Sequence, residues 1–267
     1  MEPPIRVIVL GAAGRMGRES VRALAEDSTF QVVGAVDRHH TGAAVLEAPD
    51  DLRYVATLDE VLAETQADVT LDFSHASVAV AHAAAIVRRG GRFVIGCTGL
   101  SAAQFDELQG IAQDSGGMVV PNFAIGAVLM MRFAQLAARW LPDAEIIELH
   151  HDRKEDAPSG TAMRTAELID EARTQTPAEK PRPLLKVEGA RGADYRRTPI
   201  HSVRLPGLLA HQEVIFGGMG EVLTLRHDSL DRRGFMPGVR LALREVKNVT
   251  GLVVGLDGLL FGERYAS

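Results

Sequence analysis

Ile5 to Leu10 is an almost unbroken apolar run ended by Gly11, the pattern of a strand buried on both faces. From Arg15 to Glu26 apolar and polar positions recur at helical spacing, and Phe30 to Val36 reads as a second strand. The alternation continues with strands at Asp68–Phe73, Arg92–Ile95 and Met118–Val120 and helices at Ala76–Arg89 and Ala102–Asp114. Strands that alternate with helices predict a Rossmann-like α/β unit, a doubly wound parallel sheet with right-handed crossovers. Between Asp37 and Leu58 the pattern is weak, and mostly loop is expected there.

After Pro121 the pattern changes. A long helix is expected over Ala124–Leu141, a strand over Glu145–His151 and a helix from Ser159 to about Arg173, after the polar segment Asp152–Pro158. Thr174 to Arg197 is rich in Pro, Lys, Arg, Gly and Glu and reads as exposed loop. Strands at Thr198–Arg204, Gln212–Phe216 and Glu221–His227 follow without helices between them, which predicts an antiparallel or mixed sheet. This is a second, α+β unit. The last segment, a helix over Phe235–Lys247 and an apolar tail over Leu252–Leu260, is too helical for that sheet and is expected to return to the first domain. The domains expected are thus 1–123 with 235–267, and 124–234.

Composition narrows the class. Of 267 residues 46% are apolar and 24% charged, enough for a real core and unlike a disordered chain. The net charge of −6 argues against a generic polyanion binder; Arg191, Arg196 and Arg197 fall in a loop and read as a solvated face, so no nucleic-acid partner is expected. Cys97 is the only cysteine, which excludes an intramolecular disulfide and fits a reducing, cytoplasmic setting. The start has no basic region and only a short apolar run, so no signal sequence is expected. The longest apolar stretches, Asn122–Met131 and Val249–Phe261, fall short of the ~20 residues a membrane span needs.

Gly11-Ala12-Ala13-Gly14-Arg15-Met16-Gly17 stands between the first strand and the first helix. Small residues there let backbone N–H groups approach a pyrophosphate, and the helix N-terminus adds partial positive charge, helped by Arg15 and Arg18. The spacing G-x-x-G-x-x-G also suits a tight turn with no ligand. Asp37, ending the second strand 20 residues after Gly17, favours the dinucleotide, because a carboxylate there would bind the ribose hydroxyls of NADH. Arg38 beside it could hold the 2′-phosphate of NADPH, so either cofactor is open. Gly96-Cys97-Thr98-Gly99 and Pro121-Asn122-Phe123 follow the fourth and fifth strands, at the strand ends where open sheets bind ligands.

His150-His151-Asp152-Arg153-Lys154-Glu155-Asp156-Ala157-Pro158-Ser159-Gly160-Thr161 joins a strand to a helix. Ser159 is a good N-cap, but Ala162 stands where a capping-box carboxylate would, and Arg164 follows in the first turn. That helix end, with Gly160 and Thr161, is a candidate anion site, and Lys154 could add charge. Adjacent strand histidines point to opposite faces, so His150 and His151 do not suit one metal ion, whereas either suits proton transfer.

The segments G-A-A-G-R-M-G (11–17), D-F-S (72–74), G-C-T-G (96–99), P-N-F-A-I-G (121–126), E-L-H-H-D-R-K-E-D-A-P-S-G-T-A (148–162) and I-H-S-V-R-L-P-G-L-L-A-H-Q-E-V-I-F-G-G (200–218) occur in that order along nearly the whole chain. They resemble the 4-hydroxy-tetrahydrodipicolinate reductase (dihydrodipicolinate reductase) family, and the run H-H-x-x-K-x-D-A-P-S-G-T is highly specific to it. The resemblance implies NADH- or NADPH-dependent reduction of a small dicarboxylate, 4-hydroxy-tetrahydrodipicolinate, in lysine and diaminopimelate biosynthesis. It implies His150 as acid–base residue, Lys154 as proton donor, and His151, Ser159, Gly160 and Thr161 as substrate-binding residues. Gly11 to Met16, Asp37, Arg38, Gly96 to Thr98 and Val120 to Phe123 match its cofactor contacts. Its usual assembly is a homotetramer built from the sheets of the second domain. Cys97 stands where the family more often has Thr, and Asp37 where some members have Glu.

Two other readings account for part of the pattern. A semialdehyde dehydrogenase would use Cys97 as nucleophile and needs a base to activate it. A non-catalytic nucleotide sensor would bind cofactor without consuming it, and gives no reason for His150, Lys154 and Ser159 to stand together.

Overall fold

The computed structural model describes residues 3–48, 51–175 and 184–262. The chain divides into two compact units, 1–124 with 235–267, and 125–234. The first unit begins with β1 (Ile5–Leu10), α1 (Arg15–Ala25), β2 (Phe30–Val36), β3 (Tyr54–Val55), α2 (Leu58–Glu64), β4 (Val69–Asp72), α3 (Ala76–Arg88), β5 (Arg92–Ile95), α4 (Ala102–Ala112) and β6 (Gly117–Val119). The second holds α5 (Ile125–Ala137), β7 (Asp143–His150), α6 (Gly160–Ala172), β8 (Ala193–Tyr195), β9 (Thr198–Arg204), β10 (Ala210–Gly218) and β11 (Glu221–Ser229). The chain then returns to the first unit with α7 (Met236–Glu245), β12 (Leu252–Val254) and α8 (Asp257–Phe261).

Among the described residues the first sheet has seven parallel strands in the order β12-β6-β5-β4-β1-β2-β3. Five of the six residues of β1 are buried, because helices on both faces leave a central strand no polar side. From β1 the chain steps outward to β2 and β3, then returns to β4 on the other side of β1. A crevice opens at such a reversal, at the carboxyl ends of the strands. The expected loop between Asp37 and Leu58 contains β3, whose two residues are too few to carry a period. Helix α2 follows directly. Its start is a capping arrangement in which the Thr57 hydroxyl accepts from the Glu60 N–H, a T-x-x-E signature legible in the sequence.

The second sheet is mixed, in the order β11-β10-β7-β9-β8, with β7 and β9 parallel and the other pairs antiparallel. Its buried face packs Ile146, Val214 and Phe216 against Met130, Ala134, Ala162, Ala166 and Ile169 from α5 and α6. Strand β8 lies inside the stretch read as loop from Thr174 to Arg197; its exposed, polar edge position hides it from a hydrophobic pattern. Residues 176–183 of that stretch lie outside the described residues. The apolar tail after Leu252 is not one element but β12, paired with β6, followed by α8. Among the described residues no helix is long and apolar enough to cross a membrane.

Candidate active site

In the first unit the loops after β1, β4, β5 and β6 converge. Gly11 has φ +68°, and a Cβ there would stand 2.8 Å from the Phe73 carbonyl oxygen, so β1 can turn this close to the loop after β4 only through glycine. Gly17 lies against the same turn: a Cβ would meet the Gly11 carbonyl oxygen at 2.2 Å. The rings of Phe73 and Phe123 meet edge to face at 5.7 Å, and both lie within 3 Å of where a side chain on Gly96 would begin. Phe73 thereby joins the candidate cofactor loops, a role that position 73 alone does not announce.

The helix end beside this cluster carries no acidic side chain and could receive an anion. Gly14 caps α1 without a side-chain hydrogen bond, the first turn carries no carboxylate, and Arg15 and Arg18 are exposed. At the end of β2, Asp37 accepts from the His39 N–H at 3.1 Å and from His40 Nδ1 at 2.9 Å. Burial works to raise its carboxyl, but the hydrogen bonds from His40 and His39 prevail and hold it below the usual range. Arg38 Nε donates to His39 Nε2 at 3.1 Å. Asn122 closes its own turn by accepting the Ala124 N–H at 2.9 Å. Behind these loops the fully buried Asp72 accepts from His82 Nδ1 and from the Ser74 N–H, each at 2.8 Å. A cradle of glycines, an uncapped helix end and an ionised carboxylate at the end of β2 fit a dinucleotide.

Cys97 is half-buried here. Burial, followed by the Asp72 carboxylate, pushes its thiol up to about 11. A nucleophilic thiol needs the opposite shift, so the buried, carboxylate-flanked setting of Cys97 speaks against the semialdehyde dehydrogenase reading. Cys97→Ser is expected to keep turnover within about twofold of the parent; the thousandfold collapse expected for a lost nucleophile would reinstate that reading.

The second constellation lies wholly in the second unit. In β7 the side chains of Ala144, Ile146, Glu148 and His150 share one face by the two-residue strand period, the face covered by α6. Glu148 thus occupies a core position, with no exposure to solvent. Its Oε2 lies 2.5 Å from His150 Nδ1, and Arg204 grips it with two hydrogen bonds, one to each oxygen, both at 2.8 Å. Oε1 also accepts the Ser159 N–H at 3.2 Å. Burial works to raise the Glu148 carboxyl, yet hydrogen bonds from His150, Arg204 and Ser202 hold it at about 2. Glu148 and Arg204 were visible only as letters in longer motifs. The signal that singles out Glu148 is its phase, a carboxylate in register with Ala144 and Ile146.

Beyond β7 the chain turns, with the Lys154 N–H donating to the His151 carbonyl at 3.1 Å. Lys154 Nζ pairs with both carboxylate oxygens of Asp156, at 2.7 and 2.8 Å. Among the described residues His151 Nδ1 is buried with no hydrogen-bond partner, a nitrogen that a ligand could use. Ser159 caps α6 as its sequence predicts, accepting from the Ala162 N–H at 3.2 Å, and no carboxylate occupies the first turn. Gly160 faces open space. Arg164 does not serve this helix end: Glu167 and Glu171, one and two turns along, take its guanidinium at 3.0 and 3.3 Å. Among the described residues no cluster of three or more His, Cys, Asp or Glu is arranged to hold a metal ion.

Two family models match the chain: dihydrodipicolinate reductase, N-terminus, over residues 5–123, and dihydrodipicolinate reductase, C-terminus, over residues 126–260. A 4-hydroxy-tetrahydrodipicolinate reductase of Moorella thermoacetica is 48% identical over 96% of this chain and 98% of its own length. One from Syntrophomonas wolfei is 47% identical over 97% of this chain and 100% of its own. Among solved structures, the dipicolinate-bound dihydrodipicolinate reductase from Paenisporosarcina sp. TG-14 superposes with a TM-score of 0.86 at 41% identity, covering 96% of this chain and 99% of that one.

Proposed function

The chain belongs to the dihydrodipicolinate reductase family, and on that footing we propose that it reduces 4-hydroxy-tetrahydrodipicolinate with NADH or NADPH, in the diaminopimelate route to lysine. The reaction balances as substrate plus NAD(P)H plus one proton, giving tetrahydrodipicolinate, NAD(P)⁺ and water. The bound cofactor supplies the hydride. The observation that carries the reading is the juxtaposition of His150, held by a buried carboxylate, with an α6 N-terminus free of acidic side chains.

In this reading Gly11 to Met16 take the pyrophosphate on the α1 N-terminus, while Asp37 and Arg38 take the adenine ribose and set the choice between NADH and NADPH. Residues 96–98 and 120–123 would hold the nicotinamide end of the cofactor. A substrate carboxylate sits on Ser159, Gly160 and Thr161, with Lys154 and His151 alongside; the buried His151 Nδ1, which has no hydrogen-bond partner among the described residues, supports that assignment. Lys154 would exchange Asp156 for the incoming carboxylate, one ion pair for another of the same kind. His150 or Lys154 would deliver the proton that the reaction consumes.

The experiment that tests this follows NADH and NADPH oxidation with freshly condensed pyruvate and aspartate semialdehyde. Oxidation of at least one cofactor, dependent on both condensing partners, is expected; oxidation of neither would overturn the function. The assembly in this reading is a homotetramer formed through the second sheet. Strand β11 supports it, an edge strand on which Val222 is 69% exposed and Leu223 also faces water, with Met219 exposed in the turn before it. A solution mass of four chains is expected, and a mass of one would overturn the assembly.

A further inference from the structure

A single buried side chain links the proton-transferring residue to the anion-binding helix end. The register of the second sheet brings this about. Glu148 lies opposite Ser202 on β9 and Gln212 on β10, while His150 lies opposite Arg204. Glu148 therefore meets a histidine from its own strand, an arginine from the next and the first N–H before α6. Arg204 fixes a further point of the loop, donating to the Asp156 carbonyl at 2.7 Å. From the other side Gln212 Nε2 donates to the Thr165 hydroxyl at 2.7 Å, which in turn donates to the Thr161 carbonyl at 2.7 Å.

We propose that Glu148 is a positioning residue for the reaction. Its Oε2 fixes His150 with the proton on Nδ1 and Nε2 turned to the substrate, and its Oε1 sets the α6 N-terminus that receives a carboxylate. An ionised carboxylate can only accept, so the ring nitrogen facing it must be the donor. Arg204 keeps the carboxylate from rotating, because a bidentate guanidinium fixes its plane. This inference rests on the reading of His150 as the proton-transferring side chain, but its first consequence is independent of any activity.

In the parent protein, nitrogen-15 and proton NMR of the imidazole rings, with His150 assigned by its absence in His150→Gln, is expected to show a proton on Nδ1 of His150 with a far-downfield resonance. A ring protonated only on Nε2 would overturn the proposal. In Glu148→Gln that resonance is expected to disappear, kcat to fall about tenfold or more, and KM for the dicarboxylate to rise at least threefold, with KM for NADH unchanged. In the His150→Gln background, Glu148→Gln is expected to lower kcat by less than twofold further. A variant that has merely lost folded protein would show a lower kcat with both KM values at parent level, and that pattern would overturn the positioning role, as would a full multiplicative loss in the double variant. If Glu148→Gln does not fold, the parent spectrum decides. Absence of turnover with a protonated Nδ1 would count against the proposed substrate and leave the positioning geometry standing.

Discussion

Lys154→Ala is expected to lower kcat by about 100- to 1000-fold, the range for a lost proton donor or its equivalent in about 3–4 kcal/mol of transition-state stabilisation. Affinity for NADH should change by less than twofold, because every residue assigned to the cofactor belongs to the other unit of the chain. Stability should hardly move. Among the described residues the side-chain partner recorded for Lys154 is Asp156, whose own side chain is 65% exposed, and exposed ion pairs contribute little. The combination separates chemistry from folding: steady-state kinetics, cofactor titration and a melting curve on one preparation decide it. Equal losses of turnover and NADH affinity would refute the division of labour between the two units.

Gly17→Ala is expected to damage the first unit and its glycine turn together. Its Cβ would enter 2.2 Å from the Gly11 carbonyl oxygen and 2.6 Å from the Ala12 Cα, and both neighbours are backbone, so no rotamer relieves the clash. Either α1 moves away from β1 or the turn between them is rebuilt. Overpacking of this kind costs about 1–3 kcal/mol or more, a loss of several degrees in Tm for a chain of this size. The same displacement moves the donors that face the pyrophosphate, so Kd for NADH should rise at least tenfold. Unchanged melting and binding would mean that the glycine is dispensable and that the cradle is misassigned.

The first unit was the more legible because its signals are local. A buried strand, a turn of small residues and a helix lie within 21 consecutive positions from Ile5 to Ala25, and each is visible from its neighbours. Strand β3 escaped because two residues on a sheet edge have no period to detect. Helix α2 escaped although Thr57 and Glu60 announce its start, since its seven residues make only about two turns and carry little periodicity. In the second unit, the turn from His150 to Thr161 stood out by its residue types. What organises it did not. The partners Glu148 and Arg204 lie 56 positions apart and meet only because β7 and β9 pair in parallel. Charge was equally deceptive: Arg164 stands beside the α6 N-terminus in the sequence, yet the helical period hands it to Glu167 and Glu171.

Strand β12 pairs residues 252–254 with residues 117–119 of β6, across the whole of the second unit. On a ribosome, where the chain emerges from its N-terminus, every strand from β7 to β11 has been synthesised before β12 exists. The inserted unit can therefore collapse around its own core while the first sheet still presents the open flank of β6. Chain order thus lets the inner unit mature first, and the seventh strand of the outer sheet is added last.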